Sequence, residues 1–453
     1  MKKWLLWLGL ALIIASGIIL FNINKVVKKD TIHEGISIDE IDVSGKKKED
    51  ALKIIQDKKE SELKQKKMNL KGKDKQYDIK LEEIGFKYEY KKAIDEAYAL
   101  GRKGNLFEKY KKIKQIKKEK EKIELESNYD KKKIEEKVST IAKEIDTEVI
   151  DSKFNFNNGN ISITDEKVGY KIDEQKLISQ IEENIYILDD INIPIDTIKP
   201  KYTKEYFSKI NGVIGEASTS FNSSGAGRVN NIKISARAFN GRIVHPGENV
   251  SYNSTLGPVN ISTGYQDAPV IVAGDLQPGV GGGICQTSTT LYNALLNADL
   301  TVTERSHHSI PSAYIDKGLD AVIAGDYLDL KFRNDFDYPI YISSWVSGRT
   351  VYFKIYGDKK SRDYTIQMQP QITKVIPHKV REIVKKDMKP GTREVAQQGR
   401  DGYMVVTYKH KIKNGKIVET KQISSDYYRE RETIYHIGPK AQTSVKPQQK
   451  TPN

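Results

Sequence analysis

Apolar and polar positions fall into four regimes along the chain. The first is an uncharged run at 4–23, with Lys2 and Lys3 before it and Lys25, Lys28 and Lys29 after it, long enough to cross a bilayer as a helix. In the second, 36–200, short alternating strands are interleaved with charged helical periods at 48–58 and 131–145. Two stretches there match at a fixed offset, YDIKLEEIGFKYEYKKAI (77–94) and ISITDEKVGYKIDEQKLI (161–178), each predicting a strand, a turn at Gly85 or Gly169, and a helix start. Between them, 109–126 carries its aliphatic residues only at Ile113, Ile116, Ile123 and Leu125, which predicts a solvated helix or linker. In the third regime an apolar period at Leu291, Ala294, Leu295, Ala298 and Leu300 predicts a buried helix beginning close to Cys285. In the fourth, alternation at 403–411 and 416–423 around Lys413-Asn414-Gly415 predicts a β-hairpin, and 441–453 reads as a disordered tail.

At 453 residues the chain is too long for one ordinary core. Only the first regime is apolar enough for a membrane, so a multi-pass transporter is excluded; with no small-x-small exit site the run reads as an uncleaved signal anchor. Its flanking lysines nearly balance, and the external placement of the bulk rests on the chemistry below. The net charge of +14 is unevenly spread: Lys+Arg against Asp+Glu is 44 to 39 over 1–210, 12 to 13 over 211–360 and 16 to 8 over 371–440. Basic ends around a neutral centre fit arms that hold a polyanion such as nucleic acid, anionic lipid or a wall polymer, or serve solubility alone. A single cysteine excludes an intramolecular disulfide framework, a multi-thiolate zinc site and an iron–sulfur cluster.

The central run GVGGGICQTSTTLYN (279–293) holds that cysteine. Consecutive glycines allow positive φ and close backbone approach, so amides near Gly282, Gly283 and Cys285 can form a nest for an oxyanion. A helix N-terminus at Cys285 would stabilise a thiolate, with Ser288, Thr289 and Thr290 lining or capping the first turn. A base is available about twenty residues on in ERSHHSIP (304–311), where strand geometry turns only one of His307 and His308 toward the thiol. Carboxylates follow at 318–334, any one of which could orient the imidazole. The competing reading is a small buried cysteine in a tight loop.

These residues carry a resemblance. HPGENVSYN (245–253), LGP (256–258), GYQDAPVI (264–271), PGVGGGICQTSTTLYNALLNADL (278–300), ERSHHSIPSAY (304–314), GLDAVIAGDYLDLKFRN (318–334) and YPIYI (338–342) together resemble the VanW family over nearly one hundred residues. The stretch 371–440, with its PG, QxGxDG and NGK order, resembles the G-five (G5) domain, a strand-rich module that binds N-acetylglucosamine-containing glycans or mediates adhesion. The matched stretches of the second regime resemble tandem peptidoglycan-binding modules. The resemblance implies an α+β multidomain chain: a signal anchor and juxtamembrane segment (1–29), two α+β modules (30–118 and 119–200), a mixed α+β VanW domain with the cysteine at a helix start (201–365, core 245–342), and an all-β module (371–440). It implies a Gram-positive membrane protein, single-pass, with its bulk at the cell wall. Its partners would be peptidoglycan stem peptides, glycan strands and the membrane, and not nucleic acid.

Carried over by position, the resemblance makes Cys285 the nucleophile of an L,D-transpeptidase, His308 its base and Asp320 the orienting carboxylate. Gly282, Gly283, Gln286, Arg305 and Ser309 are the oxyanion or substrate-binding candidates, with no cofactor or metal. Family members often carry a second histidine where this chain has Ser306, and the order of Cys before His separates the class from YkuD-type enzymes. A non-catalytic wall-binding protein and an L,D-carboxypeptidase remain alternatives, with a zinc site on Cys285, His307 and His308 a remote one. The chemistry is expected to need only the central segment, leaving the C-terminal module to hold the wall.

Overall fold

In a computed structural model the chain is described over residues 2–440, except 158, 273, 274 and 326; the expected tail 441–453 lies outside the described residues. It is a mixed α and β multidomain fold that divides into two compact units, Met1–Ile150 with Lys167–Pro200, and Asp151–Glu166 with Lys201–Asn453.

The first unit opens with the helix Lys2–Val27, whose Trp4, Trp7, Ile13 and Phe21 side chains lie exposed, as suits a membrane anchor or signal sequence. Two hydrophobic cores follow. One gathers Ile32, Ile36, Ile38, Ile55, Ala97, Ile116, Ile123 and Leu125. The other gathers Met68, Leu70, Ile79, Ile134, Val138, Leu177 and Ile181. The helix Lys131–Ile145 forms because Asp130 caps it through the Lys132 amide at 3.0 Å and Ile134, Val138, Ile141 and Ala142 repeat on one buried face.

The cores are interleaved in sequence. Strand Lys67–Lys71 pairs antiparallel with Gln76–Lys80 and parallel with Ile191–Asn192, so residues from either side of 118/119 share one core and that boundary does not separate two modules. The segment 109–126 is helical over Leu106–Glu119, but its four aliphatic residues are core residues, not the sparse contacts of a linker. The two matched stretches also differ in role. Gly85 closes a 3₁₀ turn at φ +68, whereas Gly169 starts the strand Gly169–Ile172, where a Cβ would meet the Val149 amide at 2.7 Å. The second stretch begins in strand Asn160–Ile163, which pairs with Phe154–Asn157, and both strands belong to the second unit.

The second unit is built on the antiparallel sheet Gly212–Ser220, Thr350–Gly357, Ile340–Ser347 and Arg242–Val244, in that order. The hairpin 154–163 covers part of it through Phe154 and Phe156, 5.1 and 4.8 Å from the Tyr341 ring, so 151–166 belongs here and not to the module 119–200. Helix Ile284–Asn297 packs on the sheet with twelve of its fourteen residues buried; Leu291, Ala294 and Leu295 of the predicted period lie in it, and Ala298 and Leu300 are buried just past its end. Contact with the sheet is close because Gly215 offers no side chain: a Cβ there would lie 2.3 Å from the Ala298 amide and 2.5 Å from the Ala294 carbonyl. A second sheet joins Asn249–Ser251, Lys331–Arg333 and Thr301–Glu304.

The C-terminal part is all β. Strands Thr365–Ile376, Gly402–Lys413 and Lys416–Tyr428 form one sheet; Val380–Val384, Thr433–Ile437 and Arg393–Gln397 form another. The expected hairpin turns at Asn414 (φ +51) and Gly415 (φ +74), the pair of positive φ values that a two-residue turn of this twist requires.

Gly215→Ala should push the Cys285 helix off its sheet and destabilise the second unit by about 1–3 kcal/mol, the usual cost of overpacking. Thermal unfolding of the full chain checks this: an unchanged melting temperature would mean that the helix does not need this close approach.

Candidate active site

Hairpin Asp267–Val272/Asp275–Val280 delivers the chain to the glycine run. Gly281 (φ +91) and Gly283 (φ +108) take conformations closed to most residues, and a Cβ on Gly282 would lie 2.5 Å from the Pro269 carbonyl. The run therefore turns sharply into the helix Ile284–Asn297, placing Cys285 in the first turn with its Sγ 3.5 Å from the Ile323 carbonyl. Backbone acceptors meet the amides of Ile284 (Gly281 O, 3.2 Å) and Gln286 (Gly283 O, 3.0 Å), with the Cys285 amide between them.

The next turn of the same helix fixes the partner segment. Ser288 Oγ donates to the Ala321 carbonyl at 2.7 Å, and the Ala321 amide donates to Thr289 Oγ1 at 3.0 Å. Thr290 bonds Thr219 and the Gln286 carbonyl. These hydroxyls do not cap the helix, which has no side-chain cap; Ser288 and Thr289 hold the residue after Asp320. A bridge between Ser306 and Val322 then brings the histidine segment alongside.

Cys285, His308 and Asp320 thereby come together from three segments. Asp320 Oδ2 accepts from His308 Nδ1 at 2.6 Å and from the His308 amide at 2.7 Å, leaving Nε2 as the ring nitrogen that faces the thiol. Burial pushes the His308 pKa down, but hydrogen bonds to Asp320 and Cys285 outweigh it and hold the imidazole at about 9. Burial likewise pushes Asp320 up, and the donors His308 and Tyr428 reverse the sign and bring it to about 2. His307 turns away: its Nδ1 lies 2.7 Å from the His308 carbonyl and its ring 5.2 Å from Tyr428.

Of the remaining candidates, Gln286 and Arg305 are committed to internal partners. Gln286 is 1% exposed, and its side-chain amide donates to Thr219 and the Ser220 carbonyl and accepts from Arg228 Nη2, so it holds Arg228 in place. The Arg305 side chain is buried between Asp320 and Asp426 and is equally committed. Ser309 is exposed, and its carbonyl accepts from the Arg429 amide at 3.1 Å.

Four residues at the site escaped the sequence reading. Arg228, whose Nη1 is buried without an acceptor, and Tyr314, whose hydroxyl burial and Cys285 push up in pKa, both lie within electrostatic reach of the thiol. The other two come from the C-terminal module. Tyr428 OH donates to Asp320 Oδ1 at 2.5 Å, and Asp426 Oδ1 accepts from Arg305 Nη1 at 2.6 Å. The central segment therefore does not complete its site alone. A signal for this pair existed: Asp426 and Tyr428 sit two apart in one strand, which puts an acid and an aromatic on the same face.

Three stretches match known families: 77–188 the "Putative peptidoglycan binding domain", 227–356 the "VanW like protein" and 369–440 the "G5 domain". The uncharacterized protein YoaR of Bacillus subtilis is 35% identical over 226 residues, which are 49% of this chain and 75% of that protein. The vancomycin B-type resistance protein VanW of Enterococcus faecalis is 32% identical over 138 residues, 29% of this chain and half of that protein. Among solved structures, HP0197-G5 (21% identical, TM-score 0.12) is covered in full by 17% of this chain, and the IgA1 protease G5 domain (18%, TM-score 0.14) to 98% by 18%. With the G-five resemblance of 371–440 matched, and with the glycine-cysteine run and histidine segment inside the matched central stretch, this chain belongs to the VanW family.

Proposed function

We propose that the chain is a cell-wall L,D-transpeptidase that forms 3→3 cross-links through a thioester on Cys285. The observation that carries this reading is the Cys285–His308–Asp320 constellation, in which the Nδ1···Oδ2 contact of 2.6 Å orients the ring toward a thiol at a helix start. The match to a peptidoglycan-binding description and the apolar N-terminal helix support a single-pass protein with its bulk outside the membrane, against the wall.

His308 takes the thiol proton. The sulfur of Cys285 attacks the carbonyl carbon of the third residue in a donor tetrapeptide stem, while the Cys285 amide and its neighbours in the glycine turn hold the oxyanion. The C–N bond to the terminal D-alanine breaks, His308 protonates the leaving amine, and a thioester remains. The side-chain amine of a neighbouring stem then attacks; the C–S bond breaks, the amine's proton passes to His308, and the new amide is the cross-link. The unpaired Nη1 of Arg228 supplies a donor for a stem carboxylate near the thiol.

Cys285→Ala should abolish dimer formation from disaccharide-tetrapeptides while sedimentation with sacculi persists, as read by muropeptide chromatography. Dimer yield equal to wild type would exclude covalent catalysis here, and release of D-alanine without dimers would assign a carboxypeptidase instead.

His308→Ala should lower the rate at least ~10²-fold, the lower end for losing a general base, whereas His307→Ala, which removes a contact to the His308 carbonyl and one to the Tyr428 ring, should cost much less. Equal or reversed losses would reassign the base.

The pH profile follows from the same pair. His308, raised from 6.5 to about 9, stays protonated through neutrality and loses its proton above that value, so initial rates should fall on an alkaline limb near pH 9. Asp320, lowered from 3.8 to about 2, keeps the pair charged well below neutrality. Its stabilising effect on the fold is present above about pH 4 and fades toward 2, while that of His308 is present below about 6.5 and fades through 9. An alkaline limb near the unperturbed histidine value would contradict the paired geometry.

A further inference from the structure

We infer that the C-terminal module is a working part of the active site, in which Tyr428 and Asp426 are positioning residues that set, in opposite directions, how strongly Asp320 holds His308. The inference rests on the catalytic reading above and extends it to a module matched only as a G5 domain.

Asp320 is 1% exposed and meets four donors. The His308 ring and amide share Oδ2, while Tyr428 OH and Arg305 Nη2 share Oδ1 at 2.5 and 3.4 Å. A carboxylate has one charge to distribute, so each donor on Oδ1 weakens the hold of Oδ2 on the imidazole. The Tyr428 hydroxyl is aimed: it accepts from the Gly318 amide at 2.7 Å, which leaves its own proton for Asp320. Arg305 is drawn the other way. Its Nη1 lies 2.6 Å from Asp426 and its Nη2 3.4 Å from Asp320, so Asp426 keeps most of the guanidinium charge away from Oδ1. Tyr428 thus loosens the grip of Asp320 on His308, and Asp426 preserves it.

The contact is built and buried. Tyr428 and Thr407 are 0% exposed and Asp426 5%. Thr407 Oγ1 donates to the Gly318 carbonyl at 3.2 Å, and a Cβ on Gly318 would come 2.4 Å from Thr407 Oγ1. Apolar packing by Met368 and Ile423 against the central core would be enough to dock a module; a tyrosine hydroxyl and a second carboxylate directed at the orienting aspartate do something more. The other charged or titratable groups near His308 are Cys285 and Tyr314 on the thiol side, Arg228 beyond them, and His307 against the Tyr428 ring.

The lone thiol provides a readout that needs no substrate. The full chain, in detergent micelles, is alkylated with iodoacetamide across a pH series, every adduct reporting Cys285, and the upper inflection of the rate marks loss of the His308 proton. Tyr428→Phe should move that inflection up, and Asp426→Asn should move it down, each by roughly 0.5 pH unit or more. Folded variants with the wild-type inflection, or shifts in the same direction, would overturn the proposal. Loss of cooperative melting in both variants would overturn it as well, by assigning the pair to stability alone. A wild-type chain that alkylates with this profile but never cross-links stems would sink the transpeptidase reading and leave this result standing.

Discussion

The buried charge of Asp320 is the constraint around which the second unit is organised. A carboxylate taken out of water without partners costs several kcal/mol and would sooner be protonated, so its site must bring donors from wherever the fold can supply them. Here they come from the histidine segment, from Arg305 and from a strand 108 residues away. Satisfying one oxygen with His308 and the other with Tyr428 ties the Asp320 and His308 segments to the C-terminal sheet. Removing any of these donors leaves a charge that water cannot reach.

The second constraint is how closely one helix can approach its surroundings. Helix Ile284–Asn297 is almost wholly buried, so its polar residues need internal partners, and the run Gln286–Thr290 finds them in Arg228, Thr219, Ser235 and the Ala321 backbone. Gly215 on the sheet and Gly282 before the helix remove the side chains that would hold the backbones apart. The helix that carries Cys285 therefore also locks the segment after Asp320. Cys285 and Asp320 are thus held in register by the same few hydroxyls. Other family-pattern residues serve the scaffold: Asn334 bonds the Val244 and Tyr338 carbonyls, and His245 stacks on Tyr202 while bonding Tyr206 at 2.7 Å.

Much of this was legible in the residues themselves. The apolar run, the helix starting beside Cys285, the Asn414-Gly415 hairpin and the all-β C-terminal module depend on periodicity and on backbone preferences acting over a few residues, which any one stretch displays. The histidine and carboxylate of the site were reached through position in a family pattern, and the structure places them in contact.

What only the tertiary structure decided is which stretches meet. Interleaving of 63–86 with 129–195 in one core, transfer of 151–166 to the second unit, and the turning inward of Gln286 and Arg305 leave no local trace, because a strand has the same alternation whichever sheet accepts it. Asp426 and Tyr428 show in the sequence only as an acid and an aromatic on one strand face, and the fold alone lays that face beside a buried carboxylate. The sequence by itself determined most of the elements and named the candidate residues they carry; the need of the buried Asp320 charge for partners determined which of those elements meet.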